Sequence, residues 1–290
     1  MTAHTLLLYY VLRPLADPEA IRLWQRELCI RLGLRGRVVV SPQGIHGTVC
    51  GDERRLAHYA CATREHPALG DVQFRASAVQ ETGRPALEVT VQDEVVDFGA
   101  AAEVMVGTDG LVGGGRHLTP RQLHALLATR GRQVVLFDGR NRCETEIGRF
   151  RGALTPDVNA ARELLSHLDN GRFDSLKHQP LVTYCTTGIR SEILSTLMAN
   201  RGFSEVYQLD GGIVSYGRDF ADDGLWEGAL YVLDDRVRIA FSDHPAVLGR
   251  CETCGAGTHV YRECVAPLCR GRALLCNACA DFALCAAHRN

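Results

Sequence analysis

Apolar residues along this chain follow two rhythms: short runs of strand length, and stretches where they return every three or four positions. His4–Val11 is a run of the first kind and predicts a strand. Asp17-Pro18-Glu19 then predicts a helix start, with Asp17 as N-cap and Pro18 at the first helical position. Ile21, Trp24, Leu28 and Leu32 fall on one face of that helix, Cys29 adjoins them as core filler, and Gly33 supplies the stop. Arg37–Val40 and Ile45–Cys50 read as strands joined by the turn Ser41-Pro42-Gln43-Gly44. A helix follows over Glu53–Glu65, with further strands at Val72–Ala78 and Leu87–Val91. The order β-α-β-β-α-β predicts a ferredoxin-like (acylphosphatase-like) split sandwich over residues 1–98, an architecture that hosts many functions.

Residues 99–117 are Gly-rich and read as a linker. They lack a GxGxxG arrangement, so no nucleotide-binding motif is assigned. A second alternating pattern occupies 118–222. Thr119-Pro120-Arg121-Gln122 has the form of a capping box, Gln133–Phe137 is a strand leading to Asp138, and Pro156–Leu168 is expected to be helical. Leu181–Tyr184 is a buried strand running into Cys185. Ser191–Asn200 is a helix stopped by Gly202, and the strand Val206–Leu209 leads into Asp210-Gly211-Gly212. Alternating strands and helices predict an α/β domain with a parallel sheet and its site at the carboxyl ends of the strands. Residues 223–250 read as a connecting segment and 251–290 as a Cys-rich module.

Length and composition narrow the class. The chain has 290 residues, 46% hydrophobic and 23% charged, with a formal charge of −2. That suits about two globular domains and an appendix, and excludes wholesale disorder. No apolar run approaches the ~18 residues of a membrane span. The N-terminus lacks the basic segment and cleavage site of a signal peptide. Charge balance does not advertise nucleic-acid binding. All basic residues but Lys177 are Arg, which fits a GC-rich coding sequence and weakens arguments from any single Arg cluster. Of 12 Cys, five lie in the first 250 residues and seven in the last 40. In a chain read as having no secretory signal, this points to a reducing, cytoplasmic setting and a metal module.

Two constellations carry chemistry. In the first, Cys185-Thr186-Thr187-Gly188-Ile189-Arg190 joins a strand to a helix. A Cys at a helix N-terminus meets unpaired N–H groups and the positive end of the macrodipole, which favours the thiolate. Gly188 lets the backbone curl into an anion nest, and Arg190 adds positive charge. The Cys-x4-Arg spacing is one residue shorter than the Cys-x5-Arg of phosphatases and suits a single sulfur atom, such as the terminal sulfur of a persulfide, better than a phosphate. The competing reading is a buried structural Cys.

The second is the tail Cys251-x2-Cys254-x9-Cys264-x4-Cys269-x6-Cys276-x2-Cys279-x5-Cys285-x2-His288. Eight ligands in four pairs suit two closed tetrahedral zinc sites. A cross-brace would join Cys251, Cys254, Cys276 and Cys279 at one ion and Cys264, Cys269, Cys285 and His288 at the other. A sequential array of neighbouring pairs and an iron–sulfur cluster are the alternatives. With few large apolar residues, the segment is too small to fold on a core of its own.

Residues 118–220 resemble a rhodanese-homology domain through Asp138-Gly139-Arg140 followed by Glu144, through Arg151-Gly152-Ala153-Leu154, and through Leu209-Asp210-Gly211-Gly212-Ile213. A narrower resemblance spans most of the chain. Ser41–Val49, Arg140–Gly148, Tyr184–Glu192, Leu233–Val237 and the Cys-rich tail are similar to segments of the rhodanese-containing tRNA uridine hydroxylases, formerly an uncharacterised family. That resemblance implies oxygen-dependent hydroxylation of the wobble uridine of tRNA to 5-hydroxyuridine, with O2 as co-substrate and Cys185 essential. Three positions depart from the family pattern: Thr187 replaces a Gly, Ser191 a Cys and His46 an Asn. His46 is expected to be a satisfied loop histidine, and Cys143 a structural thiol. No facial iron triad or flavin motif is visible, so the residues themselves support only a thiolate or persulfide site. Asp138 and Arg140 are expected either to support the loop or to form a structural ion pair. The alternative functions are a sulfurtransferase that takes sulfane sulfur from a donor onto Cys185, and a silent binding module.

Overall fold

The computed structural model describes residues 4–81, 86–231, 237–239, 241, 244–267, 269 and 271–288. The first segment contains β1 (His4–Leu12), α1 (Pro18–Arg31), β2 (Arg35–Ser41), β3 (Gly44–Gly51), α2 (Glu53–Glu65), β4 (Gln73–Glu81) and β5 (Leu87–Val91). Asp17 caps α1 by accepting from the Ala20 amide at 2.9 Å. The sheet runs β4-β1-β3-β2 in antiparallel order, and β5 adds parallel to β2. This is the split sandwich that the sequence order predicts.

The sheet has two faces of different use, because side chains alternate along each strand. Leu7, Tyr9, Val38, Val40, Ile45 and Val49 pack under the two helices, where Cys29 is fully buried. Leu8, Val39, His46 and Thr48 point the other way, toward the second domain.

The Gly-rich stretch is ordered. It holds the short strands β6 (Val106–Gly107) and β7 (Gly110–Leu111), and ends in β8 (Arg116–Leu118), the edge strand of the next sheet. Val104 is buried, and the Gly115 amide donates to Ser195 Oγ at 2.8 Å.

The second domain follows with α3 (Pro120–Arg130), β9 (Val135–Asp138), α4 (Arg142–Thr145), β10 (Gly148–Phe150), α5 (Ala161–Asp169), β11 (Leu181–Tyr184), α6 (Ile189–Asn200), β12 (Val206–Leu209) and α7 (Gly212–Phe220). Its sheet, β8-β12-β11-β9, is wholly parallel. Phe137 and Leu181 face α5 and α6, whereas Leu136, Val182 and Tyr184 face α3 and α7. The expected helix over 156–168 starts only at Ala161. The preceding residues stay out of the helix because the Val158 carbonyl accepts from the Arg142 amide at 2.7 Å, and Glu163 accepts from the Asn159 amide at 2.9 Å.

The connecting segment returns to both earlier sheets. β13 (Trp226–Gly228) pairs with β10, and β14 (Leu230–Tyr231) pairs with β15 (Val237–Ile239), which lies against β4. Residues 233–236, quoted above for the resemblance, lie outside the described residues. The tail forms the hairpin β16 (Tyr261–Glu263) and β17 (Arg272–Leu274). It is fastened to the body by a cluster of Ile147, Ala229, Tyr231, Tyr261 and Leu274. No helix is long and apolar enough to cross a membrane among the described residues.

Candidate active site

Cys185 stands at the carboxyl end of β11, 1% exposed. The Gly188 amide donates to its Sγ at 3.2 Å, and Ser191 Oγ lies 3.6 Å from it while donating to the Gly188 carbonyl at 2.8 Å. The loop curls because its carbonyls are held from behind. The first-turn amides of α7 donate to them, Ile213 N to Cys185 O at 2.9 Å and Val214 N to Thr186 O at 3.1 Å. That approach needs Gly212, whose φ is +60° and whose added Cβ would sit 2.4 Å from Cys185 O. Gly188 is the N-cap of α6 at φ 109°, and a Cβ there would meet Tyr10 Oη at 3.1 Å. The Gly-Gly pair thus has a mechanical role in the loop that sequence spacing alone does not reveal.

Arg190 does not stand as an unpaired charge. Its guanidinium grips Glu144 with two bonds of 2.7 and 2.6 Å, and Nη2 lies 3.4 Å from Thr186 Oγ1. Burial alone would raise the Glu144 carboxyl, but Arg190 outweighs it and holds the carboxyl below the usual carboxylate range. In the sequence Glu144 is only part of a signature; in the structure it is the counter-ion of Arg190. Asp138 and Arg140 are fully buried and bound to each other at 2.9 and 2.7 Å, and Arg140 also donates to Gly148 O at 2.8 Å. They tie the end of β9 to β10, and Gly139 between them donates its amide to the carbonyl of Tyr184, the residue before the loop, at 2.9 Å. Thr187 and Ile189 line the open side.

That open side is a cavity of about 880 Å³ roofed by the first domain. Leu8, Val39, His46 and Thr48 come from its sheet, Cys143 and Glu144 from α4, and Tyr261 from the tail. Six arginines line it (Arg37, Arg142, Arg149, Arg190, Arg250 and Arg272) against four carboxylates. Tyr10 Oη donates to Glu192 Oε2 at 2.8 Å, and Arg75 Nε donates to Ser215 Oγ at 3.2 Å, so the roof is bonded to the helices that build the loop. His46 is on strand β3 rather than in a loop. Burial, reinforced by the charges of Arg37 and Arg190, holds its pKa down at about 4, so the ring is neutral near pH 7. Sequence periodicity could not find this roof, because it depends on how two domains meet.

In the tail, Cys251, Cys254, Cys276 and Cys279 form one group, and Cys264, Cys269, Cys285 and His288 the other. Within each, all ligand atoms lie within 4.8 Å of one another. Cys254 and Cys276 sulfurs are 3.6 Å apart, Cys269 and Cys285 sulfurs 3.7 Å, and Cys264 Sγ is 3.6 Å from His288 Nδ1. Thiolates around a tetrahedral zinc at ~2.3 Å stand about 3.8 Å apart, so both donor sets fit that ion. The pairs interleave as in the cross-brace arrangement.

A parallel sheet carrying a cysteine loop at its strand ends, roofed by a split sandwich, defines a rhodanese-domain protein with an acylphosphatase-like partner domain. Comparison with known families agrees. Residues 4–95 match the UPF0176 acylphosphatase like domain, 119–219 the Rhodanese-like domain and 227–288 the Rhodanase C-terminal family. Curated relatives include a tRNA uridine(34) hydroxylase of Corynebacterium jeikeium, 50% identical over 95% of this chain and 89% of the relative. Another, from Rhodococcus jostii, is 51% identical over 97% of this chain and 98% of the relative, and one from Arthrobacter sp. is 47% identical over 97% and 96%. The chain belongs to the tRNA uridine(34) hydroxylase family.

Proposed function

We propose that this protein hydroxylates uridine 34 of tRNA at C5 in the cytoplasm, with dioxygen as the oxygen source and Cys185 as the essential residue. The observation that carries this reading is the cavity over Cys185. Its ~880 Å³ is within the range of small-molecule sites. It admits a nucleotide but not a stacked stem, so the target base enters splayed out of the anticodon loop. Arginines from three parts of the chain line the cavity, which suits the phosphates flanking that base.

In this reading the Gly188 amide and the Arg190–Glu144 pair fix the sulfur of Cys185 at the cavity floor. Thr186, Thr187 and Ile189 shape its rim, and the Asp138–Arg140 pair holds the strand ends beneath. The two tail groups, Cys251/Cys254/Cys276/Cys279 and Cys264/Cys269/Cys285/His288, hold structural zinc, which fixes the tail as one wall of the cavity.

The test is nucleoside mass spectrometry of tRNA from a deletion strain complemented with wild type or Cys185→Ser. Wild type restores 5-hydroxyuridine and its derivatives, and Cys185→Ser, folded by circular dichroism, does not. Full product with Cys185→Ser would remove the essential cysteine. No product with wild type, together with thiosulfate-dependent persulfide on Cys185 and its turnover, would replace this reading by sulfur transfer from a donor.

A further inference from the structure

The cavity contains one polar ring that nothing yet described employs. His46 lies on β3 between Ile45, which is in the helix-side core, and Gly47, so its side chain belongs to the face that roofs the loop. Its cross-strand partners are Tyr10 on β1 and Val39 on β2. Tyr10 reaches the loop, bonding Glu192 and filling the space where a side chain at position 188 would go. Val39 lines the same cavity. The imidazole is therefore delivered to the space above Cys185 by the register of the sheet.

Among the described residues, none hydrogen-bonds the His46 ring. Yet it is not sealed among apolar side chains, since it borders the cavity. A neutral imidazole carries one N–H donor and one bare nitrogen. A polar ring left unpartnered at the wall of a cavity costs little while water fills it. It becomes a determinant once a ligand displaces that water, because a ligand that fails to pair with it leaves a buried polar group unsatisfied.

We propose that His46 is a positioning and specificity-determining residue that donates a hydrogen bond to the O4 carbonyl of the target uracil. This rests on the hydroxylase reading above. O4 is borne by the ring carbon bonded to C5, so a donor fixed on the roof orients C5 toward the sulfur on the floor. Cytosine presents an amino group at the corresponding place. There the imidazole would have to present its bare nitrogen in place of its N–H, so cytosine is held in a different way from uracil and without the bond that orients C5. The phosphates of the substrate bind elsewhere, so His46 governs turnover and base choice rather than tRNA affinity.

The experiment compares wild type, His46→Leu and His46→Asn on an anticodon stem-loop with uridine at position 34. It measures kcat, KM, stem-loop Kd and Tm. Leucine keeps the bulk without the donor; asparagine keeps a donor in a smaller side chain. We expect His46→Leu to lower kcat by roughly 10- to 100-fold with Kd and Tm unchanged, and His46→Asn to regain most of the loss. Full kcat in His46→Leu, or equal damage in both variants, overturns the proposal while the hydroxylase reading stands. Absence of product with wild type overturns that reading and this proposal with it.

A second measurement needs no turnover. The His46 ring-proton resonance, assigned by its absence in His46→Asn, should shift on addition of uridine monophosphate and move differently with cytidine monophosphate, which can meet only the bare nitrogen. An unmoved resonance, or equal movement with both, also overturns the proposal.

Discussion

The tail and the Cys185 loop both depend on sulfur, and they are built in opposite ways. In the tail, sulfurs meet because the chain places them in close pairs, and a short hairpin brings the pairs together. Its own apolar cluster is small (Cys251, Ala273, Leu275 and Ala283), beside the contact of Tyr261 and Leu274 with the body. In the loop a single sulfur is surrounded by groups from elements far apart in sequence: Glu144 on α4, Ile213 on α7, and Tyr10 on β1. The tail should therefore fail all at once when its metal is taken away. The loop should fail by degrees as its supports are removed one by one.

Metal removal should have the largest effect. Each structural zinc contributes on the order of 10 kcal/mol to the folding of such a module. Metal analysis should find two zinc ions per chain. A chelator should release both, lower Tm and expose Tyr261 to solvent quenching. Release without any change in Tm would break the contrast. Next is Glu144→Ala. It leaves the part-buried Arg190 without its counter-ion, and denaturant unfolding should show a loss of about 2–3 kcal/mol. Glu144→Gln, which keeps a hydrogen-bond acceptor, should lose less.

Gly212→Ala is expected to cost about 1–3 kcal/mol, because the residue has positive φ and its Cβ would press on the Cys185 carbonyl. Its activity should fall by more than its stability implies, since the loop must move.

The smallest effect concerns pH. The folded pKa of His46 is about 4, below its unfolded value of ~6.5. Between these values the unfolded chain binds more protons, so stability is fully present above about pH 6.5 and is lost as pH falls toward 4. The His46 share is on the order of 2 kcal/mol. It should appear as the difference between wild-type and His46→Asn unfolding curves at pH 5 and pH 8; identical pH dependence in the two would show that the ring is free in solvent.

The same contrast explains what could be read from the sequence. The split sandwich, the parallel sheet and the interleaved Cys pairs are local signals: periodicity, caps and spacing. The start of α5 was misplaced because a backbone bond from Arg142 to Val158 competes with the helix. Arg190 reads in the sequence as added positive charge, and its carboxylate partner is hidden there because it lies 46 residues away along the chain. His46 falls in the predicted strand Ile45–Cys50, but nothing in its neighbours says that the second face of that strand meets another domain. The linker and the connecting segment gave no sign that they would supply β8, β13, β14 and β15, because very short strands take their structure from the edges they join.

The pairing of β15 with β4 also bears on how the molecule is made. The end of β4, Gln80 and Glu81, has no strand partner among the described residues during synthesis until residues 237–239 have left the ribosome, by which time the whole second domain has already emerged. An N-terminal fragment ending anywhere before that point lacks that pairing. Truncations at the apparent domain boundaries are thus expected to leave the end of β4 frayed, read as faster amide exchange at Gln80 and Glu81 than in the intact chain.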